Sequence, residues 1–105
     1  MAWTFLFLAG LMEIGWPVGL KLGWTPEGLR WPWIGMAIVC MAASGALLLL
    51  AQRAIPMGTA YAVWTGIGAV GTFAVGILAF GDAAAPMRIA SATLIILGVV
   101  GLKFA

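Results

Sequence analysis

The chain has 105 residues, 65 % of them hydrophobic and 8 % charged, with a formal net charge of +2 and a mean hydropathy of +1.18. Soluble domains carry about 25 % charged residues, so this chain lacks the polar surface to cover a globule in water, and a lipid bilayer is its natural solvent. Histidine is absent and Cys40 is the only cysteine, which excludes intrachain disulfides, Cys/His metal sites and a Cys/His catalytic pair.

Four apolar stretches follow one another, at about residues 2–22, 31–51, 58–80 and 87–104. Each is close to the roughly 20 residues that a helix needs to cross about 30 Å of hydrocarbon, and none alternates as a half-buried strand would. The breaks between them are short and hold turn-forming or charged residues, so the expectation is one domain over 1–105, an all-α membrane protein with four transmembrane helices. The first stretch has no basic n-region and is interrupted by an acid, so it is expected to remain in the mature protein rather than act as a signal peptide.

Helix 1 contains the anomaly of the sequence, Glu13, near the middle of its span. An ionised side chain at the bilayer centre costs about 2.5–3.5 kcal/mol on insertion scales, and such residues commonly mark ion pathways or proton relays. Residues three and four apart share a helix face, so Gly10, Glu13, Trp16 and Pro17 form one stripe. Gly10 permits close approach of another helix, and Pro17 withholds the N–H that the carbonyl of Glu13 would accept, which predicts a kink there. Lys21, two turns on, is expected to snorkel to the membrane edge.

Helix 2 offers Ser44 as its only hydroxyl, which either bonds back to its own helix or orients Glu13. Helix 3 carries Tyr61 and Trp64 on one face, either as packing or as an aromatic flank for a cation. Gly66, Gly68 and Gly71 then form a candidate hinge in a helix without proline. On helix 4, Ser91 and Gly98 make a small-residue stripe suited to dimerisation or to packing within one bundle.

Four crossings place both termini on the side of the Gln52–Pro56 break. Arg53 and Lys103 lie on that side and Lys21, Arg30 and Arg88 on the other. An excess of one base is too small to fix an orientation by the positive-inside rule. Dual topology, with copies inserted both ways and paired antiparallel, is the sharper expectation, and a single orientation chosen from a weak bias is the plainer one.

These residues resemble the small multidrug resistance family, and within it the guanidinium exporter subtype. The resemblance runs through the helix 1 glutamate, the block Trp16 to Lys21, the helix 3 run Pro56 to Gly71 and the ending Gly98 to Lys103. Trp16 and Thr65 match the guanidinium branch, where the quaternary-ammonium branch has a small residue and a serine. Pro17, Leu22 to Trp24 and Asp82 depart from the common pattern.

The resemblance implies that Glu13 binds proton and substrate in turn, with Trp16 and Ser44 hydrogen-bonding the carboxylate, Tyr61 and Trp64 lining the site, and Gly10 allowing helix contact. It implies a proton-coupled exporter of guanidinium and small substituted guanidinium cations in the bacterial inner membrane, with no cofactor and no metal. A homodimer then supplies two Glu13 carboxylates, and inverted symmetry suits alternating access. A multidrug exporter of hydrophobic cations and a non-transporting membrane subunit are the alternatives. An enzyme is not expected, nor is nucleic acid as a partner, since the scattered bases form no patch to track a phosphate backbone.

Overall fold

A computed structural model describes residues 1–105 as four long helices and one minimal hairpin. Helix α1 covers Ala2–Gly23, strands β1 and β2 cover Trp24–Thr25 and Gly28–Leu29, and α2 covers Trp31–Ala51. Helix α3 covers Met57–Phe80 and α4 covers Pro86–Phe104. All four helices are long and apolar enough to cross a membrane, so the fold is an all-α bundle of four spans. The apolar flanks that the bundle leaves uncovered suit a bilayer as solvent.

The helix ends follow from local chemistry. Pro32 and Pro86 sit in the first turns of α2 and α4, where a missing N–H costs nothing because it has no intrahelical partner. Helix α3 stops at Gly81, which takes a left-handed φ of +71°, a conformation glycine adopts without a Cβ clash. Helix α1 runs unbroken through Pro17 to Gly23, and α3 is likewise continuous across Gly66, Gly68 and Gly71.

Between α1 and α2 the sequence predicts only a break around Pro26. The structure has an antiparallel pair there, Trp24 opposite Leu29 and Thr25 opposite Gly28. Thr25 Oγ1 donates to the Gly28 carbonyl at 2.7 Å, Arg30 N–H donates to the Gly23 carbonyl at 2.8 Å, and Gly28 takes φ +119°. The hairpin folds α2 back along α1, and these two helices pack along most of their lengths.

Helix α3 lies on α1 and scarcely touches α2, while α4 is attached to α3. The tight core is at the end that holds the termini, where Leu6, Ala51, Ile55, Ala60 and Val63 are buried together. Lys103 Nζ stands 5.0 Å from the Trp3 ring, so the first and last turns of the chain are neighbours. No residue of α4 is buried, and the molecule is a flat body of 47 × 34 × 16 Å.

Candidate functional site

Glu13 is half-buried at the midpoint of α1. The indole Nε1–H of Trp16, one turn further on, donates to Glu13 Oε1. No buried side-chain oxygen of the protein is without a partner, so Oε2 of Glu13, which accepts no hydrogen bond from the chain, is accessible. One oxygen is held by an indole and the other is available to a ligand.

What brings α3 close enough to frame this carboxylate is a pair of glycines, one on each helix. A Cβ at Gly68 would lie 2.6 Å from Glu13 Cγ, and a Cβ at Gly10 would lie 2.6 Å from Ile67 Cγ2. Both distances are well inside van der Waals contact, so each helix accepts a side chain of the other only because the residue facing it has none. Gly66 and Gly71 are also contact points, beneath Val99 and Ile14 respectively. The glycine run expected as a hinge is therefore, in this conformation, the surface on which α1 and α4 rest.

Ser44 is fully buried, at 1 % exposure, but its bonds differ from both expectations. Its hydroxyl donates to the Ala9 carbonyl of α1 at 2.8 Å and accepts from Trp64 Nε1 at 2.7 Å. A hydroxyl carries a single proton, and here Ala9 takes it, so Ser44 neither bonds back to α2 nor donates to Glu13. Ala9 is four residues before Glu13, about 6 Å along the axis. Ser44 therefore joins three helices one turn away from the carboxylate.

Tyr61 and Trp64 share a face of α3, with ring centroids 5.3 Å apart and planes tilted by 49°. Trp64 is fixed by Ser44, whereas Tyr61 is 57 % exposed and makes no side-chain hydrogen bond within the chain. Two clusters thus stand side by side: Glu13 with Trp16, Gly10 and Gly68, and Ser44 with Trp64 and Tyr61. Pro17 lies outside both, in a small cavity at the membrane edge that it shares with Lys21, Phe80 and Asp82. Ser91 and Gly98 are exposed on α4; Ser91 lines a shallow cavity against Ala69, Val70 and Phe73 of α3, and a Cβ at Gly98 would meet nothing within 4 Å.

The group with these parts is a carboxylate in the middle of a span, paired with an indole on its own helix and a glycine seat on another. Residues 1–95 match the family described as Small Multidrug Resistance protein. This chain belongs to the small multidrug resistance family. A guanidinium exporter of Escherichia coli (strain K12) is 50 % identical over 103 residues, covering 98 % of this chain and 96 % of that protein. A guanidinium exporter of Yersinia pseudotuberculosis is 50 % identical over 105 residues, covering 100 % and 99 %. One from Citrobacter freundii is 48 % identical over 103 residues, covering 98 % and 96 %.

In this small multidrug resistance chain, the reading of the sequence missed that Gly68 seats Glu13. The signal was present, a glycine of α3 facing Gly10 of α1, but which glycine meets the acid depends on how two helices cross. No group of three or more His, Cys, Asp or Glu side chains that could hold a metal ion is present.

Proposed function

We propose that the protein is a proton-coupled antiporter that exports guanidinium and small substituted guanidinium cations, with Glu13 binding proton or substrate in turn. One observation carries the reading: the only acid inside the four spans is a carboxylate with one oxygen held by Trp16 and the other open. The cation's identity is taken from relatives, named guanidinium exporters, that match nearly the whole chain. Guanidinium is planar and permanently charged near neutral pH, and two of its N–H groups suit a two-point contact with a carboxylate. In that contact Oε1 takes a guanidinium N–H in addition to the indole, since a carboxylate oxygen accepts two hydrogen bonds.

Proton and cation then compete for Glu13. Antiport results if the site changes its exposure only when loaded, because an empty charged carboxylate is costly to carry across low dielectric. Tyr61 and Trp64 complete the site as aromatic walls, and Gly66, Gly68 and Gly71 are the positions where α3 can slide or bend against α1. A single flat protomer leaves Glu13 half open, so the working unit is an antiparallel homodimer that brings two such carboxylates together. Its two copies pack through Ser91 and Gly98 of α4, and its end states are related by inversion.

The test is guanidinium flux into liposomes under an imposed pH gradient, with Glu13→Gln alongside. Wild-type protein is expected to concentrate guanidinium in an acidic lumen as protons leave it, and Glu13→Gln to fold, insert and carry none. Flux that survives Glu13→Gln removes the mechanism. A folded wild-type protein without guanidinium-dependent flux removes the function.

A further inference from the structure

Outside the Glu13 site, the largest void in the molecule is an apolar groove of about 440 Å³ between α1, α3 and α4. Phe7, Leu11, Val70, Val99 and Val100 are among its walls, and Trp3 and Lys103 stand at its end. Lys103 is the only charged side chain lining it. The ammonium leans on the Trp3 ring at 5.0 Å and the Phe104 ring at 5.2 Å. Indole and ammonium at the end of a span are placed at headgroup depth.

The charged side chains at this end of the molecule have one sign. The three acidic side chains are Glu13, in mid-span, and Glu27 and Asp82, both in the connections at the opposite end. Arg53 and Lys103 share the terminal end with no acidic side chain to balance them. A groove that is hydrocarbon along its length and cationic at its mouth matches one amphiphile of the bilayer, an anionic phospholipid.

We propose that this groove is a binding site for an anionic phospholipid, with an acyl chain lying between α1, α3 and α4 and the headgroup phosphate on Lys103. The site is compatible with dimerisation through α4. At about 100° per residue, the groove-lining Ile96, Val99, Val100 and Lys103 are centred roughly 140° round the helix from the Ser91–Gly98 stripe. Lipid and a second copy therefore take different faces of the same helix. The groove is distinct from the carboxylate site, since neither Glu13 nor Trp16 lines it, although Gly66 and Gly71 of α3 form part of its wall.

The experiment uses the full chain in phosphatidylcholine vesicles carrying a small fraction of lipid with brominated acyl chains, either phosphatidylglycerol or phosphatidylcholine. The fluorescence due to Trp3 is isolated by subtracting a Trp3→Phe variant, and its quenching reports chain occupancy of the groove. Brominated phosphatidylglycerol is expected to occupy the groove about fivefold better than brominated phosphatidylcholine, the attraction of one lysine to an anionic lipid. The preference is expected to vanish in Lys103→Gln and to persist in Lys103→Arg, while Val100→Phe, which fills the groove without adding an indole, suppresses quenching by both lipids. Equal quenching by the two lipids, or a preference unchanged in Lys103→Gln, overturns the proposal. Quenching that falls as the protein-to-lipid ratio rises also overturns it, because a second copy then occupies the groove.

Discussion

Glu13 illustrates how little a membrane carboxylate needs from its own chain: one indole N–H, one glycine seat and one open oxygen. Each part has a separate consequence. Gly68→Ala puts a methyl group against Glu13 Cγ and displaces the carboxylate, so guanidinium affinity is expected to fall by about tenfold, or about 1.4 kcal/mol, with the helix content unchanged by circular dichroism. Ser44→Ala acts differently. It leaves the Trp64 indole N–H buried without its acceptor, at a cost of about 1–3 kcal/mol, read as a lower midpoint of unfolding in detergent. If proton and guanidinium share Glu13, the sign of the pH dependence is fixed: lowering the pH loads the proton and weakens guanidinium binding. One competing proton gives up to about a tenfold loss per pH unit, and titrations of binding at several pH values measure it. Glu13 itself was legible in the sequence because an acid among apolar residues needs no geometry to be noticed. The Ser44 partnership was not, because the sequence offers the hydroxyl acceptors on its own helix and on α1, and only the packing selects the Ala9 carbonyl.

At the level of elements, the four spans were readable from length and hydropathy alone, since any helix with this composition must cross or be buried. The hairpin Trp24–Leu29 was not readable. Two-residue strands have no periodicity, and their pairing depends on the positive φ of Gly28 and a turn at Pro26 and Glu27. Its effect is large, for it fastens α1 to α2 while α3 meets α2 through little more than the Ser44–Trp64 bond. Helix α4 is the extreme case, attached to α3 and burying no residue. If its exposed stripe is the contact between copies, Gly98→Leu is expected to reduce the cross-linked dimer severalfold in vesicles. Transport is expected to fall with it. A dimer fraction equal to wild type would place the contact elsewhere.

For the molecule as a whole, the balance of bases governs insertion. Arg53 and Lys103 on one side against Lys21, Arg30 and Arg88 on the other differ by a single charge, and the positive-inside rule has little to act upon. Reporters fused to the C-terminus are expected to be active on both sides of the membrane in comparable amounts. Adding two lysines beside Arg53 is expected to move the population toward one orientation. A unique orientation of the unmodified chain would remove the antiparallel pair.

The bareness of α4 also bears on the life of the protein in the cell. A copy that has inserted but found no counterpart presents a span held by one neighbour, joined through the short segment after Gly81. A span so loosely packed opens locally more readily than a covered one, so, if copies pair, solitary ones are expected to be cleared by proteases faster than assembled ones. Abundance would then be set by pairing rather than by synthesis, and an excess of either insertion direction would be trimmed until the two match.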